Sequence, residues 1–584
     1  MSAPTAAPAS APLPSPWAER GAVAAVLLLL PLLLLWPLPR LGTGEVLAAP
    51  GYEAAAHLWG LWAALHLGQP LVLHTGLLAA PQGVDMVLVD PVNLPWFALG
   101  QALGGPALGF DAVAWGGLLV AGLAGALLAV EVQGRPWVGA LAAMVAPPLL
   151  CAPGDGLTED LAVGWVALQL ALTLRFLRTG QPATGLAATL ALGACAWGGP
   201  YNGLLAGLVD LGLVLGQLRR PRALVRLAVV GLGGAALASP VAWAILARRA
   251  ATLPGAAARA TLPAAELAVD RFRGGLMTGI DLLDPWLPAP LTGGVPPVPH
   301  TGYLGLVALA VSVVVVARDR RRWPWLVGAL GLTALALGPH LSLAGQPLRL
   351  GGAPLLGPAG LLIQALPAAG RLTRWYRSSA VAALLLVPLL ARAARGGPRR
   401  SLPLAAALVV DALLLAPVAW PRPHAALPDA AAWAQLPSPG AEPGAILDLP
   451  LSTSGTPRAG DWRDAGPAGQ VLHGRPIGGA MMGLAPSPEA RQGQRLVQEL
   501  LRGAPVDPAA LARLRRQGFA FVAIRTDYLP LGLEGGARLD AALGPAVVDE
   551  ASLRVHRLRL PSAEVPDPSR EPRAPRVDTA DRRQ

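Results

Sequence analysis

Long apolar runs separated by short polar turns dominate the chain. A helix needs roughly 17–25 apolar residues to cross a bilayer. Candidate runs fall at 21–39, 110–131, 137–152, 159–175, 183–197, 203–218, 223–243, 301–317, 323–339, 376–393 and 402–419. The pattern predicts a mainly α protein, a multi-span transmembrane helical bundle of about eleven spans over 21–420, with large outer loops at 40–109, 246–300 and 340–375. Pro147 and Pro148 cut the third run, and 183–197 is close to the lower length limit. Residues 1–20, rich in Pro, Ala and Ser, predict a disordered N-terminus. The first run is longer than a signal-peptide core and no small-residue cleavage signal follows it, so it reads as a retained anchor.

Past residue 420 the pattern changes. "AILDLPL" and "FAFVAIR" read as strands, "PAALARLRRQG" as a helix ending at Gly518, and "SLRVHRLRL" as a last strand. A small C-terminal extracytoplasmic α/β domain is expected over 421–560, followed by a disordered tail at 561–584.

Composition agrees with the pattern. Of 584 residues 53% are hydrophobic and 14% charged, with a mean hydropathy of +0.50, too apolar for a soluble protein of this size. The net charge of +11 is carried by arginine alone among the basic residues, and its meaning lies in position rather than in a nucleic-acid partner. Arg135, then Arg175 and Arg178, then Arg219, Arg220, Arg222 and Arg226, then Arg318, Arg320, Arg321 and Arg322, then Arg392, Arg395, Arg399 and Arg400 follow every second run. The turns between, "PGDGLTED" and "GGPYN", carry none. Short basic loops stay cytoplasmic, so the N-terminus is expected inside and the C-terminal domain outside a plasma (inner) membrane.

This topology collects the reactive side chains outside: Glu53, His57, His66, His74, Asp85 and Asp90 in the first loop, and Asp155, Glu159 and Asp160 in the second. No phosphate-cradling glycine loop of nucleotide-using enzymes is present. Thr158, Glu159 and Asp160 open a run, where a threonine cap and early acids would steady a helix start. His57, His66 and His74, spaced by nine and eight, do not share a helix face and match no zinc motif. Trp59 and Trp62 read as anchors at the membrane–water boundary. In "RLTRWYR", Arg371, Arg374 and Arg377 recur every third residue and form one ridge on the side where arginine should be scarce. Either lipid headgroups or a specific phosphate would explain them.

The outer loops at 246–300 and 340–375 hold apolar stretches too short to span, which suggests helices lying on the membrane and walling a lipid groove. "HGRPIGG", with His473 and Arg475 beside glycines, reads as a binding loop or as a plain turn. Cys151 and Cys195 read as buried small side chains. Asp210 and Asp411 lie inside apolar runs, which keeps a transporter of a lipid-linked substrate in view.

"GYEAAAHLW", "PQGVDMVLVDPVN", "GLTEDLAVGW", "WGGPYNG" and "AILDLPL" together resemble the GT-C superfamily of polyprenyl-phosphate-dependent membrane glycosyltransferases, in a bacterial, degenerate form with an outer C-terminal domain. The resemblance implies a polyprenyl-phosphate sugar as donor and membrane lipid as surroundings. It implies a catalytic base in the first outer loop, for which Glu53 stands one place later and one methylene longer than the usual aspartate after glycine. Asp85, Glu159 and Asp160 are the alternative acids, His57 a substrate-binding group, and Arg371, Arg374 and Arg377 the phosphate holders. Glu159 or Asp160 opposite Glu53 could also hold a divalent cation, though no strict ligand spacing is present. A non-catalytic membrane scaffold descended from such an enzyme fits the displaced Glu53 as well.

Overall fold

The computed structural model describes residues 16–38, 44–48, 54–88, 90–251, 279–287, 302–344, 346–366, 374–416, 420–451, 465–480, 486–526 and 532–559. Glu53 and Arg371 lie outside the described residues, as does most of 246–300. The chain divides into two compact units. The first comprises residues 1–75, 84–430 and 454–471, and the second 76–83, 431–453 and 472–584.

In the first unit every predicted run carries a helix. These are α1 (Pro16–Leu34), α3 (Leu94–Glu131), α4 (Pro136–Met144) with α5 (Pro147–Asp155), α6 (Thr158–Leu161) with α7 (Gly164–Thr179), α8 (Pro182–Trp197), α9 (Pro200–Gln217) and α10 (Pro221–Ala251). They continue with α11 (Leu306–Arg318), α12 (Trp323–Ala336), α13 (Pro358–Ala365), α14 (Ser378–Ala393) and α15 (Pro398–Leu414). Among the described residues five helices are long and apolar enough to cross a membrane, or six if the bent pair α4–α5 is one span. Of the others α8, α11, α12 and α15 have 13 to 17 residues, and prolines open α8, α9 and α15 at positions where a missing N–H costs nothing.

Three expectations change here. Span 110–131 is the second half of α3, which starts at Leu94 and bends at Gly104 and Gly105 ahead of Pro106. Gly105 has φ 85°, a conformation that an L side chain rarely adopts. Loop 340–375 is less helical than expected. It holds two small ladders, Ser342–Leu343 with Gln346–Pro347 and Arg349–Leu350 with Ala353–Pro354, before α13. Finally α2 (Ala54–Leu67) is not interfacial, because residues 54 to 64 are all buried. Trp59 donates its indole N–H to Gln470 at 2.5 Å, and the buried Trp62 stacks on the exposed His66 ring.

The second unit is built on a four-stranded sheet of β3 (Ala445–Leu449), β4 (Phe519–Arg525), β5 (Ala546–Asp549) and β6 (Leu553–Arg557), in the order β5-β6-β4-β3. The pair β3–β4 is parallel and the rest antiparallel. Every residue of β3 and β4 is buried, as their continuous apolar sequences require. Helices Pro488–Leu501, Pro508–Arg516 and Gly532–Leu543 cover the sheet, with Leu447, Val497, Leu514, Val522 and Leu539 in the shared core.

Candidate functional site

The start of α6 draws together residues that are far apart in sequence. A Cβ at Gly156 (φ 67°) would collide with Ala54, so glycine alone lets the turn before α6 lie against the start of α2. This approach puts the His57 ring beside Thr158, whose hydroxyl lies 2.8 Å from Nδ1. Thr158 is therefore the first residue of the short helix and a partner of His57, with no capping bond from its side chain. The cap expected from "TED" is replaced by this tertiary contact.

Glu159 and Asp160 face the arginines. Arg377 donates to Glu159, and its Nε lies 2.6 Å from Asp160 Oδ1. Arg374 Nη1 stands 3.4 Å from the same Glu159 oxygen. The side chains of Arg377 and Glu159 are only 6% and 8% exposed, whereas that of Arg374 is 26% exposed. Residues 375–377 form a 3₁₀ turn, in which side chains three apart eclipse each other, and this places both guanidinium groups over one carboxylate. The Tyr376 hydroxyl reaches Asp160 Oδ2 at 3.4 Å.

Tyr201 and Asn202 were not singled out in the sequence, and Asp90 was named there only among the outer acids. Tyr201 lays its ring 4.7 Å from the Arg377 guanidinium carbon and accepts the Arg374 backbone N–H at 3.0 Å. Asn202 donates to the carbonyls of Glu159 and Gly198 at 3.0 and 2.9 Å. Asp90 is buried beside His57 and accepts from Asn93 Nδ2 at 2.9 Å, while Asn93 also donates to the Thr158 carbonyl. Burial pushes the Asp90 carboxyl above the ordinary carboxylate range, and His57 and the Thr158 hydroxyl act against that shift. The available signal was local: "WGGPYNG" and "VDPVN" place amide and aromatic groups directly at helix starts.

Other expected residues lie elsewhere. Asp85 pairs with His74 at 2.9 Å on an exposed hairpin of β1 (Val72–Thr75) and β2 (Val84–Val87), and is not part of this cluster. Asp411 accepts the Tyr303 hydroxyl at 2.6 Å and the Val307 N–H at 2.9 Å, so it tethers the start of α11. Asp210 accepts from Gln169 at 2.7 Å. Both acids thus have structural partners. Cys151 and Cys195 are both buried thiols, as expected. Among the described residues no group of three or more His, Cys, Asp or Glu side chains is placed to share a metal ion. Glu159 and Asp160 are matched by guanidinium groups, a donor set that does not suit a divalent cation.

An apolar cleft of about 570 Å³ is lined by Leu170, Val209, Trp325, Leu335, Leu362 and Leu385 among others. Two of these, Leu335 and Leu362, also pack against the small core of Ala359, Ile363 and Trp375.

In the second unit "HGRPIGG" is a structural turn. Arg475 is fully buried and donates to the carbonyls of Pro437, Ser438, Glu442 and Gly444 at 2.5 to 3.4 Å, with its guanidinium over the Phe521 ring. Asp448 accepts the Gly479 N–H at 3.0 Å, and burial pushes its carboxyl up to about 7. His473 accepts from the Arg475 N–H and packs on Trp433, and burial together with Arg475 and Arg525 pushes it down to about 3.

No protein-family model matches the chain, and no curated protein matches it. Solved structures of GT-C glycosyltransferases are similar at low identity. The arabinofuranosyltransferase AftD from Mycobacteria is 18% identical with a TM-score of 0.43, over 89% of this chain and 36% of that one. The oligosaccharyltransferase AglB from Archaeoglobus fulgidus, solved with an inhibitory peptide and a dolichol-phosphate, is 14% identical with a TM-score of 0.46, over 90% of this chain and 71% of that one. This chain thus spans about a third of the first enzyme's length. At such scores the likeness says nothing of residue roles.

Proposed function

We propose that the chain is a membrane glycosyltransferase that takes a sugar from a polyprenyl-phosphate donor and passes it to an acceptor on the outer side of the membrane. The observation that carries this reading is the half-buried Arg374, which shares the buried Glu159 with Arg377, together with an apolar cleft whose lining residues Leu335 and Leu362 pack against the core that holds Trp375. A cleft of that size and character suits an isoprenoid chain, and the neighbouring Arg374 suits the phosphate at its end. In the reaction the bond between the anomeric carbon and the phosphate oxygen breaks, and the polyprenyl phosphate leaves with the electron pair. The acceptor oxygen bonds to the anomeric carbon and yields its proton to a base. Glu53 takes the base role, Arg374 meets the growing negative charge on the phosphate, and Arg377 keeps Glu159 and Asp160 in place. His57, fixed by Thr158 beside the buried Asp90, lies on the helix that follows Glu53 and orients the sugar.

The test incubates purified protein with labelled polyprenyl-phosphate sugars and acceptor pools. Transfer is expected, and Glu53→Gln should lower its rate on the order of 100- to 10,000-fold, the usual size of a general-base contribution. Saturable donor binding without turnover under any acceptor would replace this reading by that of a lipid-phosphate-binding scaffold.

A further inference from the structure

The end of α14 remote from the acid cluster gathers a second group of arginines. Arg377 stands just before the first residue of this helix and Arg392 in its last turn, roughly 22 Å further along at the rise of an α-helix. Segments 318–322 and 392–400 together hold eight arginines and one acid, Asp319. Arginines between spans need no ligand to explain them, since they set the orientation of the chain. Three of these are placed more narrowly than that role asks.

Helix α12 packs along α14, and the 3₁₀ turn Arg320–Arg322 ahead of it carries Arg322. A second 3₁₀ turn, Ala394–Gly396, follows α14 and carries Arg395. Both Arg322 and Arg395 are close enough to the Arg392 guanidinium to repel it, and Asp319 is close enough to attract it. That acid is already engaged: its Oδ2 lies 3.3 Å from Arg322 Nε, and its Oδ1 accepts the Arg321 N–H at 3.2 Å. Glu19 of α1 and Glu131 of α3 pair with other arginines, Arg135 and Arg178, at 2.9 Å. The turn between α3 and α4 also meets this end. A Cβ at Gly134 would collide with the Ala391 backbone, and Arg135 N–H donates to the Ala391 carbonyl at 3.0 Å, so the turn lies directly against α14. It brings Gln133, held at φ 57°, to Arg395, whose Nη1 donates to the amide oxygen at 3.4 Å. Arg392 Nη1 is enclosed and has no hydrogen-bond partner among the described residues.

An enclosed guanidinium N–H without an acceptor, with two more guanidinium groups beside it, is costly for the protein alone and well suited to an anion. A phosphate fits best, because its oxygens accept the forked bonds of a guanidinium group. Charge narrows the class. Three arginines against Asp319 leave an excess of two positive charges, which a phosphate monoester or two linked phosphates would match and a single phosphate diester would not.

We propose that the end of α14 is a second anion site, where Arg322, Arg392 and Arg395 bind a doubly charged phosphate carried on a lipid headgroup or on a soluble ester. The site shares no residue with the acid cluster and stands apart from the glycosyltransferase reading.

The test measures binding to the full-length protein in detergent micelles with three probes: dioctanoyl phosphatidic acid, dioctanoyl phosphatidylglycerol and glycerol 3-phosphate. Phosphatidic acid should bind about tenfold or more tightly than phosphatidylglycerol, and Arg392→Gln should weaken it by about tenfold or more, the size of one charge-assisted contact. Arg395→Gln, at an exposed position where folding is not at stake, should do the same. Arg399→Gln, an exposed arginine of the same loop, should change the affinity less than about threefold. Glycerol 3-phosphate binding as tightly as phosphatidic acid would make the occupant a soluble ester, and a preference for phosphatidic acid would make it a lipid; both outcomes support the site. No saturable binding of either monoester, equal affinity for the two lipids, or a loss with Arg399→Gln as large as with Arg395→Gln would overturn it.

Discussion

Arg377→Met tests the reasoning about the cluster most directly. In the wild type one buried guanidinium faces two carboxylates, and Arg374, more exposed and at 3.4 Å, helps to balance them. Methionine keeps much of the volume and removes the charge, leaving Glu159 and Asp160 without their nearest cation. Deleting one partner of a buried ion pair costs about 3–5 kcal/mol, because the remaining charge is stranded away from water. The corresponding change at Arg374 breaks a long and more exposed contact, for which about 1 kcal/mol is expected. The pairing also predicts a compensation. Adding Glu159→Gln to Arg377→Met removes one stranded charge, so the double variant should be more stable than Arg377→Met alone, which contacts with independent costs would not produce. The assay is thermal unfolding of purified protein in nanodiscs at several salt concentrations, the buried pair being less sensitive to salt than an exposed one. Arg377→Met no more harmful than Arg374→Met, or a double variant worse than either single one, would refute the argument.

Other outcomes follow from the same geometry. Arg374→Lys should weaken binding of a polyprenyl-phosphate donor by about 1–3 kcal/mol, since lysine cannot form the forked contact, and equal affinity in a direct binding assay would remove Arg374 from the phosphate site. Arg475→Met should strip four carbonyls of their donor and destabilise the second unit by about 2–4 kcal/mol, read as faster proteolysis of that unit with the first unit intact. Asp448, raised to about 7, binds its proton more readily folded than unfolded, so its contribution is present below about pH 4 and is lost as pH rises to about 7. His473, lowered to about 3, behaves oppositely, contributing above about pH 6.5 and losing stability as pH falls towards 3. The two slopes oppose each other between about pH 4 and 6.5, so Asp448→Asn should expose a stability that rises with pH there by up to about 1.4 kcal/mol per unit, and an unchanged pH profile would refute the pair of shifts.

Much of the first unit is legible in the apolar runs, because a helix of about 20 apolar residues announces itself by length alone. The strands of the second unit are legible for a related reason: "FAFVAIR" is buried on both faces, and a continuous β-branched and aromatic run has few other homes. The ends of elements are less so. Helices α8, α9 and α15 open on prolines that lie ahead of their apolar runs, and the bend of α3 at Gly104 and Gly105 hides in an apolar stretch. In the site, the spacing of three in "RLTRWYR" and the acids of "TED" were both visible, but not that they face each other across 218 positions. Period and composition report which side chains share a face of one element and are silent on which faces meet. Trp59 was misread for that reason, because an indole at a boundary and an indole bonded to Gln470 inside the protein have the same local sequence.

The two arginines are best understood as a division of labour imposed by burial. A site that binds an anionic donor needs a free-moving positive charge, yet a positive charge left alone in a dry place is costly, and so is an acid that loses its counter-ion when the donor arrives. Here Glu159 receives both guanidinium groups on one oxygen, the nearer from the buried Arg377 and the farther from the more exposed Arg374. Arg374 can therefore turn from Glu159 to a phosphate without stranding the carboxylate, because Arg377 remains on it and is itself held by Asp160 and the Tyr201 ring. Were the roles reversed, phosphate binding would pull the buried cation off two acids and lose more than the new contact returns. Under the proposed function, the exposure of the two side chains suits Arg377 to holding the acids and Arg374 to meeting the donor, and Arg374 is then the residue whose replacement should change binding more than stability.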